Sequence, residues 1–115
     1  MTTGALAGQT AFVTGATGAI ASACAVQLAR DGARIMLMAR RADALEAAAQ
    51  VIRDEVPGAE VATFAGDCTD ETAVRDGLHA AHALAGRLDI AFATVGGGGV
   101  RPLMMLSAQE LRDDF

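Results

Sequence analysis

Gly15, Gly18 and Ala21 stand at three-residue steps directly after an apolar run, Ala11-Phe12-Val13, and a threonine, Thr14. This spacing builds a strand, a tight turn and a helix in immediate succession. Glycine lets the backbone approach a pyrophosphate closely. The new helix then offers unpaired N–H groups and the positive end of its dipole to the anion. The chemistry implied is dinucleotide binding at the turn around Gly15 and Gly18. The competing reading is a tight strand-to-helix connection that binds nothing.

The remaining chemistry-bearing residues are sparse. All nine basic residues are arginine, and there is no tyrosine. A mechanism that requires a tyrosine or lysine side chain is therefore incomplete within these residues, and no catalytic residue is assigned. His79 and His82 stand at i, i+3 with no third ligand nearby, which reads as surface or half-buried histidine and not as a metal site. Cys24 and Cys68 read as isolated, reduced thiols. Met36, Met38, Met104 and Met105 read as core or pocket lining, and Asp113-Asp114 as a solvated pair.

Composition sets the bounds. Hydrophobic residues make up 52% of 115 residues, so a folded single domain over 1–115 is expected. Aromatics are only 3%, so the core must be aliphatic and alanine-rich. The net charge of −5, with arginines scattered apart from Arg40-Arg41, argues against a nucleic-acid surface. No apolar run approaches the roughly 18 residues of a membrane span. The amino terminus lacks a basic segment followed by a long apolar one, so no secretory signal is expected. With reduced cysteines, these features predict a cytoplasmic protein.

Strand and helix patterns alternate, which predicts helices on both faces of a parallel sheet. Strands are expected at 10–14, 34–39, 60–65 and 88–94. The first helix should run from about Gly18 to Arg30, with Ile20, Cys24 and Leu28 inward and Asp31-Gly32 ending it. The second should start near Asp43 and bury Leu45, Ala48, Ala49 and Ile52, before Val56-Pro57-Gly58 stops it. The third should begin after Thr69, with Asp70 and Glu71 in its first turn. It should bury a face of Val74, Leu78, Ala81 and Ala85, with Gly86 closing it. Right-handed crossovers then give strand order 3-2-1-4, part of a Rossmann-type doubly wound α/β sheet. The fourth strand is apolar and should be covered, by a fifth strand or by a partner chain. Ser107 and Glu110 form a capping box, with Leu106 and Leu111 as its hydrophobic staple. A helix so announced is expected to continue past Phe115, so the chain reads as cut rather than finished.

Taken together, these residues resemble the short-chain dehydrogenase/reductase family, from about Leu6 to Phe115. Residues 14–21, TGATGAIA, resemble its glycine motif. Ala39-Arg40-Arg41 lies where members choose between cofactors. Asp67-Cys68 lies where an aspartate typically meets the adenine. Gly86-Arg87-Leu88-Asp89-Ile90 resembles the lead into the fourth strand. Ala93-Thr94-Val95-Gly96 occupies the place of an Asn-Asn-Ala-Gly motif. Both asparagines are replaced, which implies weaker hydrogen bonding across the sheet centre. Ala19 and Ala21 replace glycines of the common motif, and the spacing also suits extended members such as epimerases and dehydratases.

The resemblance implies roles. Gly15 makes the turn, Thr17 and Gly18 contact the pyrophosphate, and Ile20 packs near the nicotinamide. Asp67 and Cys68 lie on the adenine side, Cys68 through its backbone. Ala93, Thr94 and Gly96 lie on the nicotinamide side. An NAD site usually places an acid about 20 residues past the glycines. Here that place holds Ala39, followed by Arg40 and Arg41, and a planar guanidinium can pair with a 2′-phosphate. NADP is therefore expected over NAD. The resemblance further implies hydride transfer between the cofactor and a small carbonyl or alcohol substrate, and a full-length homodimer or homotetramer. The family's proton relay uses Ser, Tyr and Lys, so 115 residues alone are expected to be inactive. The alternatives are an epimerase or dehydratase of extended or atypical type, and a non-catalytic dinucleotide-binding module.

Overall fold

The computed structural model describes residues 4–94. Expectations for Gly96, the glycine run at 96–99, the segment 101–106 and the capping box at Ser107 and Glu110 lie outside the described residues.

Four parallel strands form one sheet: β1 (Thr10–Thr14), β2 (Arg34–Ala39), β3 (Val61–Ala65) and β4 (Ile90–Phe92). The order is β3-β2-β1-β4, as the crossover argument requires. Three helices connect them: α1 (Ala19–Arg30), α2 (Ala42–Glu55) and α3 (Glu71–Ala83). β1 and β2 form the buried centre, because their runs are apolar on both faces. Alternate residues serve opposite layers. Ala11, Val13, Ile35 and Leu37 join Ala21, Ala25, Leu45, Ala49 and Ile52 in one cluster, under α1 and α2. Phe12, Met36 and Met38 join Ala81 in the other, with Val74, Leu78 and Phe64 packed against it from α3 and β3. Gly77 lets α3 settle on this face, since a Cβ there would press on Met38 and Phe12.

Helix ends follow the local signals. Gly32 (φ 100°) and Gly58 (φ 87°) take left-handed conformations just beyond α1 and α2. Asp70 caps α3, its side chain accepting from the Thr72 N–H at 3.0 Å. It stands just outside the first turn in which it was expected.

Three expectations need correction. The inward face of α1 is Ala21, Ala25 and Ala29, one position on from Ile20, Cys24 and Leu28. The line that α1 turns to the sheet is made of alanines alone. Cys24 and Leu28 flank that line half-buried, and Ile20 is 75% exposed. The fourth strand is paired only over Ile90–Phe92, in register with Ala11 to Val13. Upstream, Asp89 turns its side chain to the Thr10 N–H and to Arg87, which ends the ladder there. On α3, Ala85 lies past the last helical turn and is exposed.

Candidate functional site

The carboxyl ends of β1, β2 and β3 carry the residues singled out by the sequence. β1 delivers the chain to Gly15, whose φ of +63° lies in the left-handed region. A Cβ at this position would overlap the carbonyl and hydroxyl oxygens of Thr94. The turn is fixed from several sides. The Ala16 N–H donates to the Met38 carbonyl at the end of β2 (3.3 Å), and Gly18 N–H donates to the Gly15 carbonyl (2.9 Å). Ser22 Oγ, on the first turn of α1, donates back to the Ala16 carbonyl (3.0 Å). Ala16 is buried, while Thr17, Gly18, Ala19 and Ile20 face outward.

Gly18 is the N-cap of α1, in extended conformation at φ −79° and ψ 156°. It has no side chain with which to cap, and α1 has no acid in its first turn. The leading N–H groups and the dipole end are thus left to an external anion. α3 shows the contrast, because its end is already occupied by Asp70 with Glu71 behind it. Ala21, the last position of the motif, is 1% exposed against the sheet, which accounts for a small residue there.

Arg40 and Arg41 follow β2 directly. Arg41 is the N-cap residue of α2, and its guanidinium lies 3.6 Å from the Asp43 carboxylate. Hydrogen bonding by the Ala44 N–H, and then the Arg41 charge, hold the Asp43 carboxyl below its ordinary range. The Gly66 N–H donates to the Ala39 carbonyl at 2.9 Å, which brings the ends of β2 and β3 together. Asp67 therefore sits beside Arg40. Its Oδ1 accepts from Thr69 Oγ1 (2.7 Å) and from the Thr69 N–H (2.8 Å). These bonds, with a smaller contribution from the Arg40 charge, hold its carboxyl below the usual carboxylate range. Cys68 is half-buried, packed against the Phe12 and Met38 cluster. Ala93 is exposed and Thr94 half-buried beside the Gly15 turn; Gly96 lies outside the described residues.

Thr94 bonds across the sheet centre where the family's motif has an asparagine. Its Oγ1 donates to the Thr14 carbonyl at 3.1 Å, and Thr14 Oγ1 donates to the Thr94 carbonyl at 3.5 Å. A hydroxyl makes this cross-sheet bond without an amide. Sequence reasoning missed this pair and the Ser22 bond, since neither follows from local spacing.

Other features lie elsewhere. A cleft of about 420 Å³ opens at the amino ends of the strands, between Gln9, Arg34, Pro57 and Glu60. Ligands of open α/β sheets bind at the opposite, carboxyl end, so the glycine turn is the better candidate. His79 and His82 line a shallow depression on α3 with Leu78 and Leu88. Among the described residues, no helix is long and apolar enough to cross a membrane.

The sheet order and the glycine turn at its carboxyl end define a Rossmann-type, doubly wound α/β protein. The family model for short chain dehydrogenases matches residues 9–115. The chain belongs to the short-chain dehydrogenase/reductase family. It is 35% identical over 108 residues to gluconate 5-dehydrogenase of Gluconobacter oxydans, covering 94% of this chain and 41% of that one. It is 41% identical over 93 residues to glycine betaine reductase of Emericella nidulans, covering 81% of this chain and 7% of that protein. Among solved structures, L-sorbose reductase from Gluconobacter frateurii, complexed with NADPH and L-sorbose, superposes with a TM-score of 0.77 at 28% identity. That match covers 96% of this chain and 41% of the reductase. The chain thus spans about two fifths of the dehydrogenase's length, and a far smaller share of the betaine reductase.

Proposed function

We propose that this chain is the cofactor-holding part of an NADP-dependent oxidoreductase acting on a small carbonyl or alcohol substrate. The observation that carries the reading is the uncapped amino end of α1, presented outward by the Gly15 turn. Its N–H groups, with Thr17, Gly18 and Ala19, hold the pyrophosphate. Ile20, an exposed aliphatic side chain at the lip of the turn, packs against the nicotinamide side. Asp67 and Cys68 lie on the adenine side; Ala93, Thr94 and Gly96 lie on the nicotinamide side. Residues 1–115 act as the amino-terminal portion of one dinucleotide-binding domain.

NADP, when bound, supplies or accepts the hydride. This chain's residues bind and orient it; with no tyrosine or lysine among them, they do not complete the family's proton relay. Arg40 supports NADP over NAD. Arg41 is drawn toward Asp43, whereas Arg40 stands at the strand ends opposite Asp67. Ala39 places no carboxylate where it would repel a 2′-phosphate. The NADPH bound in the sorbose reductase is in keeping with this choice. Homodimeric or homotetrameric assembly and a cytoplasmic location belong to the same reading and rest on the family resemblance and the sequence.

The test is the Kd of the full-length protein for NADPH and NADH, before and after Arg40→Ala. Loss of a charge-assisted phosphate contact should weaken NADPH binding by about tenfold or more and leave NADH little changed. An unchanged ratio sinks the assignment of Arg40, and failure to bind either nucleotide sinks the whole reading.

A further inference from the structure

Thr94 is separated from the glycine turn by about 80 positions in sequence, yet it is the residue most tightly set against it. Its hydroxyl donates to the Thr14 carbonyl at 3.1 Å, and its own carbonyl accepts from Thr14 Oγ1 at 3.5 Å. Both of its oxygens also lie where a Cβ on Gly15 would fall. Thr14 is 5% exposed and Thr94 half-buried, so the pair is partly shielded from competing water.

The ladder between β1 and β4 ends at Val13 and Phe92. Beyond that point the two strand ends would be free to splay. The Thr94–Thr14 pair closes the gap at the residue immediately before Gly15. We propose that Thr94 is a positioning residue for the dinucleotide. Its hydroxyl holds the Thr14 carbonyl, and so the Gly15 turn, in the orientation that aims the leading N–H groups of α1 at the pyrophosphate. With its hydroxyl given to Thr14, Thr94 acts on the pyrophosphate through the turn. The inference rests on the dinucleotide-binding reading above.

The position makes a distinction that a general stabilising role would not. Adenosine 2′-monophosphate engages the Arg40 and Asp67 end of the site and carries neither phosphate of the pyrophosphate. NADPH needs both ends. Thr94→Val keeps the side-chain volume and removes the hydroxyl. In the full-length protein it should raise the Kd for NADPH about fivefold, the worth of one ordinary hydrogen bond. It should leave the Kd for adenosine 2′-monophosphate within twofold. Thr94→Ser restores the donor and should return the ratio of the two Kd values to that of the parent. An unchanged NADPH affinity in Thr94→Val overturns the inference, as does equal weakening of both ligands. If Thr94→Val does not fold, the serine variant decides: a parental ratio supports the role of the hydroxyl, and a shifted ratio overturns it. A parent protein that binds neither ligand would instead sink the dinucleotide reading itself.

Discussion

Gly15 concentrates the constraints of the site in one residue. It must adopt a positive φ, and it must leave room for both Thr94 oxygens. These are separate requirements, and a second glycine separates them experimentally. Gly58 also has a positive φ, +87°, but nothing lies within 4 Å of a Cβ built there. Gly58→Ala should therefore cost only the left-handed conformation, about 1–2 kcal/mol. Gly15→Ala adds a backbone overlap to the same strain and should cost about 2–5 kcal/mol. Denaturant midpoints of the two variants provide the comparison. Equal losses would mean that the close approach of Thr94 carries no energetic weight. The turn was readable from the sequence because glycine spacing is a local signal, as was Arg40 following β2. The reciprocal bonds of Thr14 and Thr94 were not, because they depend on which strand lies beside β1.

At the scale of elements, α1 shows why a face can be misread while the helix is found. Ile20, Cys24 and Leu28 are spaced correctly for a buried stripe, and they are larger than the alanines beside them. Hydrophobicity alone favours them. What decides is the rotation of the helix: α1 begins straight from a tight turn, and the face it turns to the sheet carries Ala21, Ala25 and Ala29. In α2 the buried line takes Leu45, Ala49 and Ile52, and there the apolar stripe and the buried face coincide. Ala25 is fully buried. Ala25→Leu should force the helix from the sheet and destabilise the fold by about 1–3 kcal/mol. Ile20→Ala, at an exposed position, should change stability by less than about 0.5 kcal/mol. Chemical denaturation of the full-length protein gives both values; a larger loss for Ile20→Ala than for Ala25→Leu would restore the original face.

For the molecule as a whole, sheet closure depends on bringing β4 beside β1, across most of the described chain. Asp89 secures that crossing. Its Oδ2 accepts from the Thr10 N–H at 2.9 Å, and its own N–H donates to the Thr10 carbonyl at 3.0 Å. Arg87 grips the same carboxylate twice, through Nε at 2.9 Å and Nη2 at 2.7 Å. These bonds, Arg87 first and the Thr10 N–H next, hold the Asp89 carboxyl below the ordinary value of 3.8. The folded state therefore binds this proton less readily than the unfolded chain. The contribution of Asp89 is present above the unfolded value, near pH 4, and is lost as the pH falls through the lower folded value. Asp89→Asn removes the ionised acceptor at every pH. The variant should melt below the parent at pH 6, and the gap between their Tm values should narrow as the pH falls below about 4 and the parent's carboxylate takes up its proton. Asp43, Glu46 and Asp67 are depressed in the same direction. Acid should thus still destabilise the variant, but less steeply. A gap that stays constant from pH 6 to pH 2 would mean that the charge on Asp89 plays no part in holding β4 to the sheet, and that shape and backbone pairing alone bring it there.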